Sequence, residues 1–522
     1  MDTLLHRFQG TIKGIIEGFD RFVFKGLLKH ISYVEGMQSY LSRHRILNKN
    51  YKEWVTSQSQ SIIQAAENYV KAQCGSDIQY ISSCHTRKEE LAHKQQKESG
   101  IQNGLIGIWS CLESCRTYKA TYDQAAGFPQ IKSNNSRCKH LYFYYDHQDL
   151  GFMSIRLQTW APYEIQIALN GREWLRRQLD KAGIAYTLQG NKFFDIDDYT
   201  RAQTLLTSQL NTRWEPLLTS FLPDVFPTMR DMFGDDMSYT WILWQSEWAK
   251  DYLFSDPGTL NQHMEHLLRY AFITGTFDRV LRYMGRPVRK DSQPYSNTNP
   301  DLMTRLSQWY DGARIRHWVD QNSIKMYNEH NVLRFEFTMN DPTKYLIHRH
   351  IEGNKNSEKK LRPMRKGIAD VGARAKISSN RIHCFCEHMA TVTEPSRVGD
   401  LLSKVAQPII SKGKRYRALD VTGKDLELLR AISDPKYTVD AISNKHLRET
   451  LVGSTWAKDM TGKRLSARIS RHLRLLREHG LIKKVPKQHK YQLTQKGRAL
   501  TMALHQFLDA SVEDLVKLDM AS

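Results

Sequence analysis

Apolar positions recur along this chain with two different periods, and the places where the period changes mark out its elements. Residues 1 to about 103 follow a mainly helical spacing, with a short extended piece at Arg21–Phe24 and a polar stretch, "HTRKEELAHKQQKESG", before the next element. From Gly104 the period falls to two. "GLIGIWSCLES", "RTYKATYD", "KHLYFYYDH", "GFMSIRLQTW" and "YEIQIALN" alternate apolar with polar residues between turn-like breaks, which predicts an antiparallel meander. "NGREWLRRQLDKAG" then has helical spacing, opened by Asn170 as N-cap and closed by Gly183.

Residues 201–310 are expected to return to helix, including the Trp-rich "YTWILWQSEWAKDYLF", and to leave through the Pro/Ser/Asn loop "GRPVRKDSQPYSNTNP". "RIRHWV", "SIKMYN" and "VLRFEFTMN" predict a second meander, followed by a basic helix from about Arg362. The expected fold class is therefore α+β: central antiparallel strand meanders with flanking helices, plus a C-terminal winged helix-turn-helix domain. The partition runs 1–103 mainly helical, 104–200 first meander and helix, 201–310 helical insertion, 311–391 second meander and basic helix, 392–421 linker and 422–522 winged helix.

Charge then narrows the partners. Lys and Arg number 76 against 55 acidic residues, a formal charge of +21 that points to a polyanion. Nucleic acid is favoured over a membrane surface, because basic residues alternate with Tyr, Trp and His along the strands. No transmembrane-length apolar run or signal-peptide pattern is read, and seven cysteines at irregular spacing make no disulfide framework, so a cytoplasmic protein is expected.

The C-terminal segment "LSARISRHLRLLREHGLIKKVPKQHKYQLTQKGRALTMAL" carries the most specific pattern. Leu465, Ile469, Leu473 and Leu476 form one apolar stripe, leaving Arg468, Arg471, Arg474 and Arg477 on the other side. Gly480 ends that helix, two strand-like arms flank a basic turn, and Thr494 opens another helix. This segment resembles the winged-helix domains of bacterial regulators of the MarR and ArsR type over about a hundred residues. The resemblance implies that Leu465–His479 enters a major groove while Lys484, Lys487, His489 and Lys490 approach phosphates. An arginine-rich helix face that is simply solvated is the alternative.

In "NSIKMYNEHNVLRFEFTMNDP", alternation sets Val332, Arg334, Glu336 and Thr338 on one face and Leu333, Phe335, Phe337 and Met339 on the other. With Lys325 and Tyr327 from the partner strand, the first face is expected to be a polar surface. Cations there would meet phosphates and the ring would stack on a base, or Glu336 would only neutralise Arg334 or Lys325 on a solvated face. The same stretch resembles strand pairs of rolling-circle replication initiators, which carry a lysine-x-tyrosine strand followed by an arginine-x-glutamate strand. That resemblance implies a metal-binding histidine pair, for which His348 and His350 have the spacing, and a nucleophilic tyrosine, for which Tyr327 and Tyr345 are nearest. The whole layout is similar to an uncharacterised bacterial family associated with mobile elements.

Carboxylates offer a separate chemistry. Glu336, Asp146, Asp149, Asp195, Asp197 and Asp198, if brought together, would hold divalent metal ions for phosphodiester cleavage, whereas turn capping is the ordinary use of such aspartates. Cys111, Cys115, Cys138 and His140 have zinc-ligand spacing, with core packing as the alternative. No Walker loop, Rossmann fingerprint or nucleophile elbow is present. The expected function is nucleic-acid binding, on DNA through the winged helix, in replication or recombination of a mobile element. A non-enzymatic regulator and an RNA-binding structural protein are the alternatives. Glu336, Asp146 and Tyr327 are the candidate catalytic residues, and a divalent metal the candidate cofactor.

Overall fold

The computed structural model describes residues 3–504, apart from 83–84, 235–236, 287–300, 310–311, 352–353, 355, 391–397, 412, 433–436, 438–440, 486–487, 495, 499 and 502. The chain forms two compact units, one of Lys13–Asn261 with Met303–Asn380, the other of Met1–Ile12, Gln262–Leu302 and Arg381–Ser522. The class is α+β.

In chain order the strands of the larger unit are β1 Ile12–Leu28, β2 Gln79–Ile81, β3 Gly104–Asp123, β4 Phe128–His147, β5 Gly151–Gln158, β6 Ile165–Asn170, β7 Tyr186–Gln189, β8 Lys192–Ile196, β9 Tyr239–Phe254, β10 Leu302–Trp309, β11 Gly312–Val319, β12 Asn322–Glu329, β13 Val332–Met339, β14 Leu346–Arg349 and β15 Lys360–Pro363. Eleven of them make one sheet in the order β10-β11-β12-β13-β9-β1-β6-β5-β4-β3-β2, while β7 and β8 form a separate hairpin. The first meander of the sequence becomes β3 to β6 and the second becomes β11 to β13, each paired antiparallel as alternation requires.

Two stretches expected to be helical are long strands. Residues 12–28 form β1, where a Cβ at Gly14 would lie 2.3 Å from the Tyr199 ring and one at Gly18 would lie 2.6 Å from Leu206. Those glycines let the helix Tyr199–Thr207 lie flat on the sheet, and they weaken a helix where they stand. Residues 239–254 form β9, in which Tyr239, Trp241 and Leu243 are buried while Thr240 and Trp244 are exposed, the period of a strand rather than a helix. The basic helix begins at Val371, because residues 360–363 are first used as a strand.

The expectation of a solvated face on β13 is overturned. All eight of its residues are buried. Leu175 and Leu179 of the helix Gly171–Ala182, with Phe193 and Ile196 of the hairpin, pack with Ile16, Leu253 and Val332 and cover that part of the sheet.

Four charges lie under this cover. Arg334 donates to both oxygens of its register partner Asp251, at 2.6 and 2.8 Å, and to Asp20 at 3.1 Å. Arg172, in the first turn of the helix that Asn170 caps, donates to Asp251 at 2.9 Å and stands 3.5 Å from Asp20. Arg172, Asp251 and Arg334 are 0 to 1 % exposed and Asp20 is 6 % exposed, so the two arginines and two aspartates balance one another almost without solvent. Burial alone would lower the Arg334 pKa, but Asp251 and Asp20 outweigh it and hold it well above the ordinary value. Burial pushes Asp251 the other way, and Arg334 and Arg172 overcome that to keep its carboxyl below its ordinary range.

In the smaller unit the helix Gly462–Glu478 buries Leu465, Ile469, Leu473 and Leu476, the predicted stripe. They join a core with Leu428, Leu447, Trp456, Ile482 and Leu493. Along residues 426–493 the order is helix Leu426–Ile432, strand Ile442–Ser443, helix Asn444–Leu451, helix Gly462–Glu478, then strands Ile482–Lys484 and Lys490–Leu493, with all three strands in one small sheet. The stretch expected as a linker contributes Val405 and Leu419 to the same core.

Removing one member of the buried quartet leaves its two partners buried with half of their charge compensation. Arg334→Met should lower the unfolding free energy by about 3 to 5 kcal/mol, and Asp251→Leu should be less damaging in that background than alone. Urea unfolding of the two single variants and the double variant measures this; independent, additive losses would show that the pair is not coupled.

Candidate metal centre and cation-aromatic face

Next to the quartet, three carboxylates from three neighbouring strands converge. Asp20 of β1, Glu247 of β9 and Glu336 of β13 each place an oxygen within 4.8 Å of the others. The register explains the meeting: Thr338 pairs with Glu247 and Glu336 with Ala249, so both glutamates share a face one step apart. Glu336 contacts the ammonium of its own register partner Lys325 and receives the Tyr327 hydroxyl at 3.3 Å. Burial would raise its pKa, but Lys325 prevails and holds it below the ordinary value.

Glu247 is in the opposite condition. Burial first, and then the Glu336 charge, push its pKa up to about 7, and its carboxylate accepts a hydrogen bond from Gln245 at 3.2 Å. Lys325 pairs with Glu336, and Arg334 and Arg172 with Asp20, so Glu247 is the member of the three without an ion pair among the described residues and exchanges its proton near neutrality. Glu247 and Asp20 also line a cleft of about 260 Å3 with Asn170 and Asn191. Asn191 donates to Asp20 at 2.9 Å, and its amide oxygen is buried with no hydrogen-bond partner. Hard oxygen donors of this kind suit Mg2+, Mn2+ or Ca2+.

The predicted site residues are distributed as follows. Glu336 lies in the centre. Tyr327 lies beside it but is buried, and burial, then Glu336, raise its pKa well above the ordinary value, so it serves as a hydrogen-bond donor rather than an ionised nucleophile. Asp146 is elsewhere, paired with Arg177 and accepting the Asn103 N–H. Asp149 pairs with Lys181, Asp195 with Lys13, and Asp198 caps the helix Tyr199–Thr207, which are the ordinary uses of aspartate. Lys325 and Arg334 are not free cations for phosphate, since one is held by Glu336 and the other by Asp251 and Asp20. His348 is exposed at a strand that pairs with Lys360–Pro363, and His350 contacts the Ser357 carbonyl; neither joins a group of three possible metal ligands among the described residues.

Cys115, Cys138 and His140 do converge, without Cys111. The two cysteines are joined in a disulfide between β3 and β4, a single bridge where no disulfide framework was expected. His140 is pulled down to about 4 by burial and by Arg156, and both ring nitrogens have partners, Cys138 O and Arg156, each at 3.2 Å.

The sequence reasoning missed Asp20 and Glu247, which lie in stretches read as helix. It also missed a row on the open part of the sheet. Arg314, Arg316 and Trp318 of β11 share a face with Tyr327, Lys325 and Ser323 of β12. The Arg314 guanidinium lies 4.1 Å from the Trp309 ring centre and that of Arg316 lies 4.2 Å from Trp318, all four side chains half-buried. The alternation arginine-x-arginine-x-tryptophan was the available signal.

On the C-terminal helix, Arg464, Arg471 and Arg474 are exposed and have no ion pair among the described residues. Arg477 is bound to Glu478 at 2.6 Å and Arg468 is half-buried over Trp456. Lys484 and Lys490 are exposed on the strand pair; Lys487 lies outside the described residues. The chain matches no protein-family model, no curated protein and no solved structure.

Because the folded state raises the Glu247 pKa from 4.5 to about 7, it binds more protons than the unfolded chain between those values, and stability falls as pH rises through them. Glu247→Gln should therefore unfold later than the parent at pH 8, by about 1 to 3 kcal/mol, and nearly together with it at pH 5. Chemical denaturation at the two pH values measures the difference; a gap of equal size at both would remove the proton from the explanation.

Proposed function

We propose that this is a nucleic-acid-binding protein that grips duplex DNA through residues 422–522, folded as a winged helix. The observation that carries the reading is the division of one helix into a buried apolar stripe and an outer side with three exposed arginines, Arg464, Arg471 and Arg474, that have no ion pair among the described residues. The strand pair bearing Lys484 and Lys490 takes the place of the wing, and the charge of +21 supplies long-range attraction to phosphates. The sequence resemblance to mobile-element proteins directs the activity towards replication or recombination.

In full-length protein, fluorescence anisotropy should show duplex affinity falling steeply with added salt. Arg471→Ala and Arg474→Ala should each weaken a preferred sequence by about 1 to 3 kcal/mol where the arginine contacts a base. Lys490→Ala should weaken all sequences alike and reduce the salt slope by about one. Equal binding of duplex DNA, single strands, RNA and heparin at every salt concentration would sink the DNA reading.

A second reading concerns chemistry, and the convergence of Asp20, Glu247 and Glu336 favours it. A divalent cation held there would polarise a phosphodiester and lower the pKa of an attacking water, with the strand approaching along Arg314, Arg316 and their tryptophans. Under this reading supercoiled DNA is nicked in Mg2+ or Mn2+, and Glu247→Gln abolishes nicking while leaving binding intact. Binding without metal-dependent cleavage in the parent protein would leave a non-enzymatic regulator.

A further inference from the structure

The C-terminal segment contains a cavity of about 540 Å3 whose lining includes Lys424, Asp425, Trp456, Lys458, Arg468 and His472. Its acidic groups already have partners. Asp425 is held by both terminal nitrogens of Arg417 at 2.7 Å, and Glu427 accepts the Thr455 hydroxyl and the Trp456 backbone N–H, both at 2.6 Å. Asp420 accepts the backbone N–H of Lys424 at 3.0 Å. The ammonium groups of Lys424 and Lys458 and the guanidinium of Arg468 have no ion pair among the described residues.

Two donors are left buried and unmatched in the same wall. Trp456 is only 4 % exposed and its indole N–H has no hydrogen-bond partner among the described residues; neither has the Nε–H of Arg468. A folded protein seldom leaves such donors unpaired, because they gave up water to be there. The ring is held in place, with the Arg468 guanidinium 4.5 Å from its centre and His472 edge-on at 4.9 Å. Lys458 has φ +49° and Asp459 φ +57°, consecutive left-handed conformations at residues other than glycine. A lysine kept where glycine would be easier is a feature that a ligand-binding role explains.

We infer that this cavity is a binding site for a phosphate group, taken by the indole N–H of Trp456, the guanidinium of Arg468 and the ammonium groups of Lys424 and Lys458. Phosphate fits better than carboxylate because donors from separate segments need more than two acceptor oxygens. The cavity has room for an organic body behind the phosphate. A phosphorylated small molecule and a backbone phosphate of nucleic acid share this chemistry. The inference does not depend on the helix arginines that carry the DNA reading.

The test uses the full chain with inorganic phosphate and phenyl phosphate against chloride at equal ionic strength. Phosphate should raise the unfolding temperature and move the indole N–H resonance of Trp456, assigned with Trp456→Phe. Lys458→Gly, which removes the ammonium and relaxes the left-handed backbone, should fold at least as stably and bind phosphate at least tenfold more weakly. A phosphate response equal to that of chloride, or one undiminished in Lys458→Gly, would overturn the site. Competition with a labelled duplex separates the sources, and either outcome supports the site: mutual exclusion that Lys458→Gly relieves means a backbone phosphate, and simultaneous binding means a free ligand. Arg471→Ala should leave phosphate binding unchanged, so failure of the DNA reading and failure of this one are distinguishable.

Discussion

The architecture of the larger unit depends on charge compensation inside the sheet. Asp20, Arg172, Asp251 and Arg334 come from β1, the helix Gly171–Ala182, β9 and β13, and each satisfies at least two of the others. Burying two carboxylates and two guanidiniums is unfavourable unless all four arrive together, so the network acts less as glue than as a test of register. A slip of β13 by one residue would turn Arg334 to the opposite face and leave Arg172 alone to balance Asp20 and Asp251 in a dry interior. This constraint fixes the spacing on which the neighbouring carboxylates rely, because Glu336 and Glu247 occupy the same face, two and four positions from Arg334 and Asp251.

That proximity divides the buried polar face into two regimes. On one side positive and negative charges match, and the Asp251 carboxyl is held in its ionised form. On the other, Lys325 is bound to Glu336 and offsets only part of the burial and repulsion that Glu247 meets. Local charge balance, rather than residue type, separates a structural ion pair from a group able to exchange protons or ligands near neutral pH.

Much of the fold was legible wherever alternation or helical spacing ran uninterrupted. The meander from Gly104 to Asn170, the capped helix after it, and the stripe Leu465, Ile469, Leu473 and Leu476 all appear as the pattern predicts. β1 and β9 were missed because glycines, charges and tryptophans break their alternation, and those breaks are the sites of close helix contact and of the buried charges. Asp20 and Glu247 were hidden for the same reason. A single carboxylate in a strand looks alike whether it meets solvent or two others, since the meeting depends on strand order, which local spacing does not encode. Glu336 stood out because its strand partner was adjacent in sequence; the residues it meets lie 316 and 89 positions away. The solvated-face expectation failed through the hairpin β7–β8 and the helix Gly171–Ala182, whose placement over β13 is tertiary.

The smaller unit gathers residues 1–12, 262–302 and 381–522, whereas the larger one takes the intervening stretches. Arg7 reaches the Met389 carbonyl at 3.0 Å, and Phe8 packs against His263. During synthesis, then, Phe8 emerges 255 positions before His263 and Arg7 emerges 382 positions before Met389. Assembly of the smaller unit therefore finishes only after residue 389 has been made, and a chain interrupted between residues 263 and 389 offers Phe8 its partner ring while Arg7 still lacks the Met389 carbonyl.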